Sequence, residues 1–573
     1  MARANDDVER ALLEFSELLA IVGDDAFKAR AYEKAARAVG GYHADLATLD
    51  DDGIRAIPNV GKSIAGKIRA VVDAGTFPEL DALRDRVPSG VRAMTAIPGF
   101  GPKKALVVHE ELGIDGIDAL LLAAQEGRLR GLKGFSRKTE DNVLAAAARI
   151  STTERRVLLS EALDVAEMLL ERLRAVRGVT RADLAGSLRR GKETVGDVDL
   201  LVASSRAEDV MDAFTSFRLV EQVLARGDTK SSILTRGGLQ VDLRVVPLEA
   251  WGAAMIYFTG SKAHNVRIRE MAVRKGLKLN EYGLFSVEGG DAIAAKSEED
   301  VYQRLGLPYI EPTLREDRGE IEAALEGTLP SLVTLRQLRG DLHTHTDLTD
   351  GLAPLERMLA AAAEKRYAYY AVTDHAPNLW MQRMTNEKML AQRDRIRELQ
   401  ASHPKMRLLH GTELNIAPDG SVDWPAAFLD GFDVTVASIH SHFNLSRDEQ
   451  TKRLIAAMED PHVNVIGHMT TRKIGQREPI ELDLDAVFAA ASRTGTALEI
   501  NAYPDRLDLR DEHVLWARRH GVRFSIDSDA HAVGHLDVLR YGIGTAQRGW
   551  LGPDDVINAW PLSKLRRFLR KGR

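Results

Sequence analysis

Two stretches of the chain carry carboxylates and imidazoles at spacings that suit metal-assisted phosphoryl chemistry. In AGSLRRGKETVGDVDLLV, Ala185 to Val202, Asp197 and Asp199 stand two residues apart. On an extended strand such residues project to the same side, so both carboxylates share one face and can hold hard cations such as Mg²⁺. A third carboxylate is needed from a neighbouring strand. Asp242 in LQVDLRVV supplies it, because a lone carboxylate in an apolar run is costly to bury without a cation or partner. Two cations held this way clamp the attacking and leaving oxygens of an in-line displacement, and the Gly186-Ser187 turn with Arg190 suits a departing pyrophosphate. A lone D-x-D is also common as a solvated strand end; G-S-x-R-R before it and Y-F-T-G after it weigh against that reading.

The second stretch opens with GDLHTHTDLTDG, Gly340 to Gly351, where His343 and His345 share one face. His375 in VTDHA, Glu413 in HGTELN, His440 in ASIHS, His468 in VIGHM, and Asp529 with His531 in DSDAH follow, nearly all after a short apolar run. Such residues gather at one rim of a barrel, where the C-terminal ends of parallel strands carry catalysis. Burying so many imidazoles and carboxylates together without cations leaves charges and lone pairs unsatisfied. Several choices stay open. His442 competes with His440, and Asp347 with Asp350; Asp374 and His410 stand beside ligands as candidate orienters. Arg472, Lys473 and Arg506 either hold substrate phosphates or are ordinary surface cations.

These residues need elements to position them. The 573 residues exceed what one core supports, so three or four domains are expected. An apolar fraction of 44% and a charged fraction of 28% are ordinary for soluble protein, and no apolar run approaches the ~20 residues of a membrane helix. A membrane span is not expected. The N-terminus lacks the pattern of a secretory signal, and a cytoplasmic location is expected. There are no cysteines, which excludes disulfides, thiolate nucleophiles and Cys-ligated zinc. The net charge of −6 decides nothing, since a sum over several domains can hide a basic face. From Asn5 to about Ile150 the pattern is helical, broken by Gly and Pro. From about Ser151 to Pro247 a long amphipathic helix precedes short β-branched runs. After Arg339 short apolar runs (YYAVTD, VTVAS, NVIGH, ALEIN) alternate with helical patterns, as in a parallel βα barrel.

Within the helical part, IPNVGKSIAGKI at Ile57–Ile68 and IPGFGPKKALVV at Ile97–Val108 share one form, and GLKGFSRKTEDNV at Gly131–Val143 is a weaker third copy. Each puts a glycine turn ahead of a helix, whose N-terminal N–H groups and dipole favour a phosphate oxygen. One copy alone reads equally well as a packing unit. Three copies with Lys62, Lys67, Lys103 and Lys104 beside them favour phosphate contact.

These turns resemble helix-hairpin-helix motifs, which grip DNA backbones without reading bases. The D-x-D block resembles the nucleotidyltransferase core, and YFTGSKAHNVRIRE with KGLKLNEYGLF resembles specifically the family X DNA polymerases. The C-terminal series resembles the PHP domain. The resemblance covers nearly the whole chain. It implies a multidomain fold: N-terminal all-α helix-hairpin-helix domains, an α+β nucleotidyltransferase palm and thumb, and a C-terminal PHP (β/α)7-like barrel. The expected boundaries are a lyase-like domain at 1–85, fingers at 86–150, palm at 151–250, thumb-like segment at 251–318, linker or surface helix at 319–338, and PHP at 339–573.

By the same resemblance, Asp197, Asp199 and Asp242 bind Mg²⁺ or Mn²⁺, with Asp242 activating a 3′-hydroxyl. Gly186, Ser187, Arg190 and Gly196 hold a triphosphate. Tyr257, Phe258 and Gly260 pack against the incoming sugar and base, with Asn265 in the minor groove, Arg269 near the templating base and Glu281 in the supporting network. The PHP ligands would be His343, His345, Asp350, His375, Glu413, His440, His468, Asp529 and His531, holding up to three Mn²⁺ or Zn²⁺ ions. Lys67 matches a Schiff-base lysine of members that remove 5′-deoxyribose phosphate, and reads equally as a phosphate contact; Tyr32 and Lys28 are candidates for binding a 5′-phosphate. The implied activity is gap-filling DNA-directed DNA polymerisation joined to a 3′-5′ exonuclease, AP endonuclease or 3′-phosphatase. Gapped or nicked DNA and dNTPs are the expected partners of a monomer. Three other readings remain: a DNA-binding scaffold with only the hydrolase active, a polymerase with a merely structural PHP domain, and a small-molecule phosphatase that leaves the first 338 residues unexplained.

Overall fold

The computed structural model describes the chain apart from residues 1–3, 23–25, 41, 43–45, 88–90, 92–93, 95–101, 133, 138–139, 141–142, 145–155, 290, 380–383 and 572–573. The chain divides into two compact units. One is residues 1–155, counted with the short segments 350–358 and 530–535; the other is 156–349, 359–529 and 536–573.

The first unit is helical. Its opening helix, Ala4–Val22, buries Val8, Leu12, Phe15 and Leu19, a three- and four-residue spacing that makes one apolar stripe. Phe15 meets Tyr32 and Phe77 edge-on at 4.7 and 4.9 Å between ring centroids. Tyr32 is 4% exposed, so this side chain, a candidate for binding a 5′-phosphate, is instead a core residue. The first glycine turn is formed as its sequence suggests. Asn59 takes a left-handed φ of 65°, and Gly61, extended, precedes the helix Lys62–Ala74, which stops at Gly75 in the left-handed region. The second turn falls on residues 97–101 and, like the Lys103 side chain, lies outside the described residues; the third copy is described only in part.

The larger unit contains two sheets that matter for function. The first has strands β1 (Val179–Leu184), β2 (Asp197–Ser204), β3 (Val220–Arg226), β4 (Lys230–Thr235) and β5 (Gln240–Val246) in the order β1-β2-β5-β4-β3. Only the β2–β5 pair is parallel. Alternation sorts β2 and β5 cleanly. Val198, Leu200 and Val202, with Val241, Leu243 and Val245, join the core beneath the helix Leu159–Arg174. Leu201, Ala203 and Val246 face the other way, onto Trp251, Ala254 and Met255 of the helix Trp251–Thr259. By that parity Asp197, Asp199 and Asp242 all lie on the second face. Beyond it a smaller core gathers Ile256, Ile268, Leu284, Tyr302 and Leu314, and Ile321 and Ala324 of the helix Glu320–Glu326 join it from within 319–338.

The second sheet is wholly parallel and runs in chain order: β6 (Gly340–Asp341), β7 (Tyr369–Val372), β8 (Arg407–Asn415), β9 (Val434–Ser438), β10 (Val465–Ile466), β11 (Ala497–Asn501) and β12 (Phe524–Asp527). A helix follows each strand, so both faces are covered; the apolar runs YYAV and VTVAS are buried throughout because no face meets water. The ends of the sheet are tied by side chains. Leu342 N donates to Asp527 at 2.9 Å and Ser528 N donates to Asp341 at 3.3 Å. Asn558, fully buried, donates to the carbonyls of Gly340 and Ile526 at 3.1 and 2.6 Å and accepts from Ile526 N at 3.1 Å.

Asn558→Ala removes four buried hydrogen bonds that together tie the barrel's first and last strands, so it should lower stability by about 2–3 kcal/mol. A downward shift of the denaturation midpoint, followed by circular dichroism, checks this.

Candidate functional site

The acidic cluster of the first sheet follows from strand register. Asp199 pairs with Asp242 across parallel β2 and β5, and Asp197 pairs with Gln240. Asp199 is the most enclosed of the three. Burial, then the charges of Asp197 and Asp242, push its carboxyl up to about 7. Burial also raises Asp242, but hydrogen bonds from Lys230, Gln240 and Ser232 outweigh it and leave that carboxyl below its ordinary range. Lys230 Nζ lies 2.9 Å from Asp242 Oδ2 and Gln240 Nε2 donates to Oδ1 at 2.9 Å. Neither partner is marked by a motif; Lys230 reaches the site only because β4 lies beside β5.

Gly186 abuts the same cluster. Its φ is +61°, and a Cβ built on it would sit 2.1 Å from Asp199 Oδ2, so only glycine lets the GSLRR turn approach the carboxylates. Arg190 turns toward the helix Trp251–Thr259. It donates through Nη1 to the Thr259 carbonyl, through Nε to Glu316 at 2.9 Å, and its Nη1 stands 3.2 Å from where a Gly260 Cβ would be. Asn265 donates to the Tyr257 carbonyl at 2.8 Å, and Arg269 Nε donates to the Asn265 carbonyl at 3.1 Å. Tyr257, Asn265 and Arg269 thus line one small cavity, with Phe258 edge-on to Tyr257 at 5.0 Å.

In the helical unit, Lys62 and Lys67 line a shallow groove with Ser63, Gly66, Phe77 and Glu79. Lys67 Nζ pairs with the Glu79 carboxylate and lies 5.8 and 5.0 Å from the ring centroids of Phe15 and Phe77. Lys104 Nζ lies 5.9 Å from the Phe135 ring centroid.

The barrel's cluster centres on one carboxylate. Glu413 is 1% exposed and imidazoles surround both its oxygens. Oε2 has His375 Nδ1 at 2.9 Å, His343 Nε2 at 3.4 Å and His345 Nε2 at 3.5 Å; Oε1 has His468 Nε2 at 3.0 Å and His440 Nε2 at 3.1 Å. Burial pushes the Glu413 carboxyl up, but His440, His343 and His375 outweigh it and hold it well below the carboxylate range. Asp529 Oδ1 stands 3.2 Å from His345 Nε2 and 3.6 Å from His343 Nε2. Asp350 and His531 pair with each other at 3.4 Å. His343, His375, Glu413, His440, His468 and Asp529 stand within three residues of a strand's C-terminal end, so a βα barrel's geometry brings them to one rim.

Two ligand groups fit cations: His343, His345 and Asp529, and His375, Glu413 and His440, each with donor atoms within 4.8 Å of one another. His343 Nε2 is buried without a hydrogen bond and lies between two carboxylates, the setting of a ligand atom. Imidazole and carboxylate without thiolate suit Mn²⁺ and Zn²⁺.

Residues that no motif marks hold the candidate ligands in place. Glu499 accepts from His343 Nδ1 at 2.7 Å, Asn415 Oδ1 lies 2.7 Å from His440 Nδ1, and Asn501 donates to Asp529 at 3.0 Å. Glu499 had a signal of its own, a lone carboxylate inside the apolar run ALEIN. Asp374 accepts from Thr346 and Thr349 of the first rim loop. His410 is no orienter. It stacks on Phe432 at 5.0 Å beside Arg393, and burial, then the charges of Arg393 and Arg397, push its imidazole down to about 3. Arg472 is neither a surface cation nor free for a phosphate, since it is 6% exposed and pairs with Glu193. Arg506 stays near the rim, 3.9 Å from Asp529.

Glu413→Gln removes the negative charge at the centre of five imidazoles and leaves one neutral oxygen. Metal analysis of the purified protein should find at least one equivalent of Mn²⁺ or Zn²⁺ fewer than in wild type. In the first cluster Asp199 must lose a proton before it binds a cation, so Mg²⁺ affinity there should fall about tenfold per pH unit below about 7. Calorimetric titration of a His343→Ala background at pH 6 and 8 checks the slope.

Residues 3–77 match the family model of a helix-hairpin-helix domain and residues 91–149 that of a SAM-like helix-hairpin-helix tandem. Residues 156–244 match the DNA polymerase beta palm, 254–316 the DNA polymerase beta thumb and 341–503 the PHP domain. Over 568 residues the chain is 35% identical to "DNA polymerase/3'-5' exonuclease PolX" of Bacillus subtilis (strain 168), with 99% of each chain covered. It is 27% identical over 328 residues to DNA polymerase lambda of Rattus norvegicus, covering 52% of this chain and 53% of that one. With DNA polymerase lambda of Arabidopsis thaliana the identity is 26% over 343 residues, 53% of this chain and 62% of the other. With palm, thumb and PHP domain matched in one chain that aligns over 99% of its length with such a relative, this protein belongs to the family X DNA polymerases that carry a C-terminal PHP domain.

Proposed function

We propose that this chain is a DNA-directed DNA polymerase that fills gaps during repair, and that its PHP barrel is a 3′-5′ exonuclease. The observation that carries the first half is the register of Asp199 against Asp242, with Asp197 on the same face beside the GSLRR turn. The carboxylate-centred rim carries the second half, and the printed name of the Bacillus subtilis relative joins the same two activities.

In the palm, Asp197, Asp199 and Asp242 would hold two Mg²⁺ or Mn²⁺ ions, which supply charge for the attacking and leaving oxygens. Asp242 takes the proton of the primer 3′-hydroxyl. That oxygen bonds to the α-phosphorus of a dNTP, the α–β phosphoanhydride bond breaks, and pyrophosphate leaves toward Ser187 and Arg190. Gly186 and Gly196 give the triphosphate room. Tyr257, Phe258 and Gly260 pack on sugar and base, Asn265 and Arg269 contact the nascent pair and template, and Lys62, Lys103 and Lys104 hold the DNA backbone. At the rim, His343, His345, Asp350, His375, Glu413, His440, His468, Asp529 and His531 would hold up to three Mn²⁺ or Zn²⁺ ions, which supply a Lewis acid and lower the pKa of an attacking water. Glu499, Asn415 and Asn501 keep the ligands oriented, and Arg506 faces a phosphate oxygen. Attack by water breaks the terminal P–O3′ bond and releases a nucleoside 5′-monophosphate. The protein acts on gapped or nicked DNA as a cytoplasmic monomer. Lys67, a candidate Schiff-base nucleophile or phosphate contact, pairs with Glu79 beside two aromatic rings.

The test is extension and degradation of a 5′-phosphorylated gapped duplex with Mn²⁺. Asp199→Ala should lose dNTP-dependent extension at least 10²-fold and keep 3′ trimming, and His343→Ala should do the reverse. If wild type fails to extend, the protein is a scaffold with a hydrolase; if His343→Ala trims normally, the rim is structural. A duplex ending in a 3′-phosphate and one with an abasic site separate exonuclease from phosphatase and AP endonuclease.

A further inference from the structure

Arg190, the proposed triphosphate contact, is held at its side chain by residues distant in sequence. Glu316 Oε1 accepts from Arg190 Nε at 2.9 Å and, on the same oxygen, from Arg548 Nη1 at 2.8 Å. Arg548 belongs to the C-terminal domain. It is the last residue of the helix Leu539–Arg548, which follows barrel strand β12, and it is 2% exposed. Its Nη1 also donates to the backbone carbonyl of Arg190 at 2.9 Å. Its stem lies against the following turn, 3.8 Å from where a Cβ on Gly191 would sit. Its Nη2 pairs with Asp511 Oδ2 at 2.8 Å, and that oxygen also takes Arg318 Nη1 at 2.9 Å. The C-terminal domain thus grips the nucleotide-binding turn of the palm at its backbone and, through Glu316, at its side chain.

We propose that Arg548 is a positioning residue of the polymerase site, setting Arg190 for the incoming triphosphate by way of Glu316; this rests on the reading of Arg190 as a triphosphate contact. Two physical arguments carry it. The first is preorganisation. An arginine bonded at Nε and Nη1 has already given up its rotamer freedom, so binding a phosphate orders little more. The second is charge. A carboxylate paired with Arg190 alone would cancel the positive charge that a phosphate needs. Glu316 is shared instead with Arg548 and with Lys192, 3.6 Å away, and so orients Arg190 without neutralising it. Nucleotide affinity in the palm therefore depends on a residue of the PHP domain that touches neither DNA nor nucleotide.

The test uses the full-length protein in single-nucleotide gap filling with Arg548→Met, Arg548→Lys, Arg190→Ala and the Arg190→Ala/Arg548→Met double variant. Neither Glu316 nor Asp511 is stripped of cations in Arg548→Met, because Arg190 and Lys192 remain on one and Arg318 on the other. Arg548→Met should raise KM for dNTP about five- to tenfold with kcat and the KM for DNA nearly unchanged, a split that general destabilisation does not produce. Arg548→Lys should recover part of the loss. The double variant should be no worse than Arg190→Ala alone, since Arg548 acts through Arg190. If Arg190→Ala leaves the KM for dNTP unchanged, the assignment of Arg190 fails and the inference with it. If Arg190→Ala raises that KM but Arg548→Met does not, or if the two effects multiply, the assignment stands and the inference alone is overturned. Should Arg548→Met misfold, Glu316→Gln, which keeps the shape and weakens the same bonds, must reproduce the KM rise for the inference to survive.

Discussion

A carboxylate removed from water costs several kcal/mol unless cations or donors meet it, and Glu413 is removed almost completely. The structure meets that requirement with imidazoles on both oxygens, drawn from the ends of four other segments between His343 and His468. No local arrangement of the chain could supply them. A parallel barrel can, because its strands end at one rim and its loops diverge from there. The same need extends outward, as His343, held on one side by Glu413, is held on the other by Glu499.

The palm faces the same constraint and resolves it differently. Asp197, Asp199 and Asp242 share one face; donors hold Asp242 below its ordinary range, whereas burial and the two neighbouring carboxylates push Asp199 up to about 7. Where the barrel rim is preorganised by imidazoles, the palm is an acidic face with a strong local preference for cations. Strand alternation protects that face. In β2 and β5 the intervening residues Val198, Leu200, Val241 and Leu243 are all committed to the core beneath the helix Leu159–Arg174, so a one-residue slip would bury the carboxylates in hydrocarbon.

Charge also joins the palm and thumb to the barrel. Glu193 pairs with Arg472, Arg318 with Asp511, and Leu507 and Tyr541 of the barrel domain enter the palm's own apolar core. Cations that stand close in sequence to rim loops are thereby consumed in holding domains together. Arg472 has the residue type and the position of a phosphate clamp, yet a partner almost three hundred residues away decides its role.

The sequence by itself determined what local order can encode: the glycine turns, the D-x-D on one strand face, and the procession of His, Glu and Asp after short apolar runs. Periodicity two fixes the face of a strand, and an apolar run followed by a polar residue marks a strand end, so these assignments need no distant contact. Even buried single carboxylates such as Asp242 and Glu499 are readable in principle, because each interrupts an apolar run. Only the tertiary structure decided which strand lies beside which, and with it that Lys230 meets Asp242, that Asn415 steadies His440, that His410 turns away to Phe432, and that Arg548 reaches Arg190. Such pairings depend on packing between segments tens to hundreds of residues apart, where the chain's local pattern carries no information about the neighbour.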